Sequence, residues 1–62
     1  MSELSQIELR YINELAQAHQ LASVKLDNYA SECTDVKIKQ MFEQASQDAQ
    51  NGIQKLNQLI SN

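Results

Sequence analysis

The 62-residue sequence contains no proline or tryptophan, one glycine, one cysteine and three aromatic residues. Because Cys33 is alone, the chain cannot form an internal disulfide. No apolar run approaches the roughly 20 residues needed to cross a bilayer, and residues 1–10 lack the basic and apolar regions of a signal peptide. These absences predict a cytoplasmic protein with no membrane partner.

Basic residues are also scarce, since five Lys and Arg oppose eight Asp and Glu, for a net charge of −3. Without a basic cluster to neutralise phosphates, we expect no nucleic-acid partner. The sequence has no glycine-rich phosphate loop, no Cys/His metal spacing and no set of nucleophile, base and acid. It therefore predicts a protein that is not an enzyme, with no catalytic residue, bound metal or cofactor.

What the sequence does contain is typical of α-helix, because alanine, leucine, glutamine, glutamate and lysine are abundant. Apolar residues recur at the helical period in both halves of the chain. We predict one all-α domain over residues 1–62, with helix 1 at about 4–32, a turn at about 33–34 and helix 2 at about 35–60. The short turn makes the helices an antiparallel hairpin.

Local signals mark the helix ends. Ser5 and Glu8 have the spacing of a capping box, and Ser2 is an alternative, earlier cap. Thr34 is the expected N-cap of helix 2. Asn-Gly at 51–52 is a strong turn signal, but the apolar stripe continues through it; we expect an unbroken helix, with a kink as the alternative.

Each apolar stripe is wider than contact between two helices requires, which predicts a second copy and a homodimeric four-helix bundle. Small residues in the middle of each stripe indicate close helix approach, or alternatively a central cavity. The residues expected to pack in the core or the dimer are Tyr11, Leu15, Ala18, Ala22, Leu26, Tyr29, Ile38, Met41, Phe42, Ala45, Ala49, Ile53, Leu56, Leu59 and Ile60.

A few side chains are candidates for chemistry. His19 projects onto the edge of the helix 1 stripe and is interpreted as a boundary residue, a metal ligand or base being the alternative. Cys33 is interpreted as a small hydrophobic residue, the alternative being an intermolecular disulfide. The acidic residues near the stripes are expected to cap helices or form ion pairs; they are Glu8, Glu14, Glu43 and Asp48.

Three stretches, 14–21, 25–30 and 34–42, together resemble the spore coat protein F-like family of ferritin-like helical proteins. The most specific part is the turn, where Thr34-Asp35 is followed by lysines and Phe42, next to Tyr29-Ala30. The resemblance covers about residues 8–60 and implies a helical hairpin that corresponds to half of a ferritin-like bundle and is associated with the spore. The Glu-x-x-His pairs of ferritin-like metal sites are missing, since Glu14 and Glu43 have no histidine three residues later.

These observations predict a non-enzymatic structural protein that works by self-association, as a small component of the spore coat, in contact with other coat proteins. One alternative is a regulatory module that binds other proteins through its helices. Another is a degenerate ferritin-like protein that has lost its metal site.

Overall fold

A computed structural model of the chain describes residues 4–60, and its two helices confirm the all-α hairpin. Helix α1 spans Gln6–Glu32 and helix α2 spans Val36–Gln58. Helix α1 starts two residues after its predicted start and ends where predicted. Helix α2 starts one residue later and ends two residues earlier than predicted. Because the connection is short, α2 runs antiparallel to α1. The start of α1 and the end of α2 therefore lie together, at the end of the hairpin away from the turn, which we call the open end.

The capping box predicted at the start of α1 is confirmed. The Glu8 backbone N–H donates to the Ser5 hydroxyl over 3.2 Å, and the Ser5 N–H donates to the Glu8 carboxylate over 2.9 Å. Ser5 is therefore the N-cap, while the alternative cap, Ser2, lies outside the described residues. The two bonds explain why a glutamate stands on the apolar side of this turn.

The predicted N-cap of α2 was wrong by one residue, because Asp35 and not Thr34 caps the helix. The Ile38 N–H donates to the Asp35 carboxylate over 3.0 Å, and Asp35 has an extended backbone, with φ −77° and ψ 122°. A carboxylate at this position both accepts the bond and places negative charge at the positive end of the helix dipole. The hydroxyl of Thr34 would supply only the bond.

The helices meet along a seam of side chains spaced alternately by three and four residues on α1, the spacing typical of coiled coils. At its middle the helices approach closely, since the Ser23 and Ser46 hydroxyl oxygens are 3.3 Å apart. Of the small residues from which a close approach was predicted, Ala45, Ala49 and Gly52 of α2 line this contact, whereas Ala18 of α1 is exposed and Ser23 takes its place. The seam consists of Ile12, Ala16, His19, Ser23, Leu26, Ala30 and Cys33 of α1 and Phe42, Ala45, Ser46, Ala49, Gly52, Ile53 and Leu56 of α2.

Helix α2 runs unbroken through Asn51 and Gly52, as predicted. The reason for the glycine lies across the seam, where the His19 ring packs against it. A Cβ atom at Gly52 would fall 2.7 Å from His19 Cδ2 and 3.0 Å from Nε2. The absent side chain at Gly52 therefore makes room for the imidazole.

Candidate self-association surface

The hairpin buries little apolar surface by itself. Within residues 4–60, Ile12 and Ala30 are the only buried hydrophobic residues, 8% and 3% exposed. The other two buried residues are Ser23 and Ser46, each 2% exposed. The most enclosed part of the molecule is thus small and partly polar.

Most of the large apolar side chains remain in solvent, and several of them share one side of the hairpin. We call this side the open face. Met41 is 70% exposed there, and Tyr11, Leu15 and Tyr29 are each about half exposed. The open face consists of Tyr11, Leu15, Ala18, Ala22 and Tyr29 of α1 and Ile38, Met41, Ala45 and Leu59 of α2.

Spacing and one shared groove place these residues on the same side. Ala18 and Ala22 of α1 line a shallow groove together with Asp48 of α2. Residues seven apart in a helix lie on the same face. Tyr11 is seven residues before Ala18, and Met41 is seven before Asp48, so both continue the groove toward the ends of the hairpin.

The fifteen residues expected to pack in the core or dimer form a half-buried group and an exposed group. None is buried in the single hairpin. The half-buried group lies along the seam or directly beside it and consists of Ala22, Leu26, Phe42, Ala45, Ala49, Ile53 and Leu56. Those exposed are Tyr11, Leu15, Ala18, Tyr29, Ile38, Met41, Leu59 and Ile60.

Sequence reasoning missed part of the seam because that part is barely hydrophobic. Ser23, Ser46, Ala16 and Ala30 are small and contribute little to an apolar pattern. On α1 the available signal was the three-and-four spacing that joins Ile12 to Ala16, Ser23 and Ala30, which a search for strongly apolar residues passes over.

Near the turn, two aromatic rings pack against each other across the two helices. The rings of Tyr29 and Phe42 meet edge to face, with centroids 5.8 Å apart and planes at 60°. Such pairs contribute about 0.5–1.5 kcal/mol beyond burial. Phe42 is half-buried in the seam while half of Tyr29 is exposed, so the pair links the seam to the open face.

The total accessible surface is large for a chain of this mass. The chain has 4940 Å² of accessible surface for a mass of 7.0 kDa. A compact monomer of that mass would expose about 4,000 Å². The excess of roughly 900 Å² is close to the area of about 800 Å² that each partner buries in an interface of standard size.

The titratable candidates have local partners. His19 Nδ1 lies 2.7 Å from the Leu15 carbonyl oxygen, to which it donates. Glu14 pairs with Arg10 over 3.1 Å on the exposed surface, and Asp48 accepts from the Gln44 amide over 3.0 Å. The bonds from Ser5 to Glu8 lower the pKa of the Glu8 carboxyl below its ordinary value of 4.5, the backbone bond being the larger cause.

Two further features of this part of the chain concern ligands and membranes. Among residues 4–60, no group of three or more His, Cys, Asp or Glu side chains is arranged to hold a metal ion. Neither α1 nor α2 is long and apolar enough to cross a membrane.

Comparisons of the chain with protein-family models, curated proteins and solved structures find no match.

Proposed function

We propose that this protein is a non-enzymatic structural protein that acts by self-association, with two hairpins packing through their open faces into a four-helix bundle. The observation that carries the proposal is the open face itself. Its residues repeat at the same spacing as the seam, so the face has the geometry of a second helix-packing surface.

The energetics favour this assembly. Burying a side chain such as Leu15 or Met41 contributes about 1.5–3 kcal/mol. These side chains are half exposed or more in the hairpin, and a second copy would remove them from water. Contiguous apolar patches of this kind mark interaction surfaces on small proteins.

The experiment is a comparison of two substitutions on the same helix by sedimentation equilibrium at micromolar concentration. Leu15 is 50% exposed on the open face, and Val24 is 46% exposed on the other side of α1. The unmodified protein should have twice the chain mass of 7.0 kDa. Leu15→Lys should reduce the mass toward that of one chain, whereas Val24→Lys should leave it unchanged.

An unmodified protein that stays a folded monomer at these concentrations would refute the proposal. Equal effects of Leu15→Lys and Val24→Lys would show that another surface mediates association.

The cellular setting we propose, the spore coat with other coat proteins as neighbours, rests on the sequence resemblance alone. Fluorescence of a fusion protein in sporulating cells tests it. A signal that stays diffuse in the cytoplasm throughout sporulation would contradict the setting without affecting self-association.

A further inference from the structure

We propose that the two copies pack with their turns at the same end, so that α1 of each copy lies against α2 of the other. This orientation rests on the self-association proposed above, and it adds the ion pairs that align the two copies. Three ion pairs form between the copies along each α1–α2 contact; they are Glu14 with Lys55, Lys25 with Asp48, and Glu32 with Lys37.

All six charged residues flank the open face. On α1, Glu14 lies four residues before Ala18, Lys25 seven after it and Glu32 fourteen after it. These spacings keep the three on the side of the helix that carries Ala18. We call them the α1 rim.

The α2 rim is built in the same way around Asp48, which lines the groove opposite Ala18. Lys55 follows Asp48 by seven residues, and Lys37 precedes it by eleven, or three helical turns. Each of the six rim residues is exposed in the hairpin, so each is available to a second copy.

The contact between Ser23 and Ser46 sets the height of each charge along the hairpin. Toward the open end, Glu14 and Lys55 are each nine residues from the serine of their own helix. Toward the turn, Glu32 and Lys37 are also each nine residues away. These two acid–lysine sets therefore lie at matching heights.

The third set lies near the middle. Lys25 is two residues from Ser23 toward the turn, and Asp48 is two residues from Ser46 toward the open end. At 1.5 Å per residue, the offset is about 6 Å, which a lysine side chain can span. From the open end to the turn, the α1 rim thus carries charges −, +, −, and the α2 rim carries +, −, +.

A two-fold axis parallel to the helices places the α1 rim of each copy beside the α2 rim of the other at equal height. Every charge then faces one of opposite sign, six times in the dimer. With the turns at opposite ends, α2 would lie against α2, and Asp48 would face its own copy near the axis. Like charges held close are unfavourable, so the charge pattern favours turns at the same end.

Within each chain, the described residues contain one ion pair, between Arg10 and Glu14, with side chains 72% and 59% exposed. An exposed pair of this spacing is weak. The Glu14 carboxylate has a second oxygen, so Lys55 of the other copy can bind without displacing Arg10.

The test reverses one whole rim at a time. The first variant combines Glu14→Lys, Lys25→Glu and Glu32→Lys; the second combines Lys37→Glu, Asp48→Lys and Lys55→Glu. Each variant alone should dimerise about 100-fold more weakly than the unmodified protein at low salt, because six attractions become repulsions. An equimolar mixture should recover a dimer of about the original affinity, containing one copy of each.

With turns at opposite ends, the first variant would give a different result. The α1 rim would then face its own copy, and reversing all three charges would preserve every pairing. A first variant that dimerises as well as the unmodified protein would therefore overturn the orientation. Circular dichroism of both variants checks that the helices are retained.

Cys33 provides an independent measurement because it is the only cysteine and lies at the turn. Spin labels on Cys33 should be within about 20 Å of each other if the turns share one end. Turns at opposite ends would place the labels about 35–40 Å apart at 1.5 Å per residue.

The outcomes separate this proposal from the one on which it depends. A dimer with distant labels, or with a first variant that self-associates normally, overturns the orientation and leaves self-association intact. A monomeric unmodified protein overturns both.

Discussion

The contact between His19 and Gly52 leaves no room for a side chain at position 52. The imidazole is held by its bond to the Leu15 carbonyl, 2.7 Å away, and its ring covers Gly52. Glycine inside a helix costs about 1 kcal/mol relative to alanine. The space that glycine leaves for the ring offsets that cost.

We predict that Gly52→Ala destabilises the protein by about 1 kcal/mol, because the ring must move and its bond to Leu15 is strained or lost. In a His19→Ala background the same change should stabilise by about 0.5–1 kcal/mol. Urea unfolding of the four proteins in a double-mutant cycle measures this coupling. Equal stabilisation by Gly52→Ala in both backgrounds would mean that the ring does not occupy this space.

A second prediction concerns the Glu8 carboxylate in the capping box. Its pKa in the folded protein is lowered by the bonds to Ser5. The stability it contributes is therefore present above the pKa of the unfolded chain and is lost as the pH falls through the lower folded pKa. The Ser5 amide resonance, followed by NMR against pH, should shift with a midpoint below 4.5.

The control for this titration is Glu8→Gln, which keeps an acceptor for the Ser5 N–H but has no proton to gain. The pH-dependent step should be absent in this variant. A midpoint at or above 4.5 in the unmodified protein would contradict the capping bond.

At the scale of the helices, the beginning of α2 depends on one carboxylate. We predict that Asp35→Ala lowers the free energy of unfolding by about 1 kcal/mol, the usual loss of an N-cap. Thr34→Ala is the matched control and should change stability by less than about 0.5 kcal/mol. Urea denaturation measures both, and a larger loss at Thr34 than at Asp35 would restore the N-cap expected from the sequence.

Much of each helix could be predicted from the sequence because the signals are local. The Ser5–Glu8 spacing specified the capping box, and the apolar stripe around Gly52 outweighed the Asn-Gly turn signal. The N-cap of α2 was missed because Thr34 and Asp35 are both good caps. Which of the two residues caps the helix depends on where the turn places the start of α2 against the seam. That position is set by the packing of the two helices and not by the local sequence.

The candidate surface was harder to predict because the hydrophobic pattern reflects two surfaces at once. The stripe read from α1 is centred on Tyr11, Leu15 and Tyr29, which the hairpin leaves exposed. The seam beside it contains Ser23 and His19, which contribute little to a hydrophobic pattern. On α1, apolar spacing therefore identified exposed residues better than those that join the two helices.

At the scale of the whole molecule, the hairpin is elongated, with extents of 47 × 16 × 11 Å and a radius of gyration of 14.4 Å. A compact chain of this length would have a radius of about 10.6 Å. Two helices side by side cannot enclose a core, and small domains are only marginally stable. We therefore expect folding and assembly to be coupled.

That coupling predicts a melting temperature that depends on protein concentration. A tenfold increase should raise the midpoint by about 5 °C, since mass action favours the dimer. Circular dichroism melts between 5 and 500 µM (about a hundredfold range) measure the shift. Leu15→Lys, which places a charge on the open face, should melt at a lower temperature with little dependence on concentration. A concentration-independent midpoint in the unmodified protein would contradict the coupling.

The buried serine pair has a consequence for the uniqueness of the fold. The Ser46 hydroxyl reaches both the hydroxyl and the carbonyl of Ser23, and Gln50 donates to the Ser23 hydroxyl over 3.1 Å. Alanine and leucine would tolerate sliding one helix past the other by a heptad, because one apolar contact would replace another. Sliding would bring Ser23 opposite Lys39 or Ile53 and leave the Ser46 hydroxyl without its partners, at a cost of about 1–3 kcal/mol for each unsatisfied buried group. The pair thus selects one register among several that hydrophobic packing alone would allow.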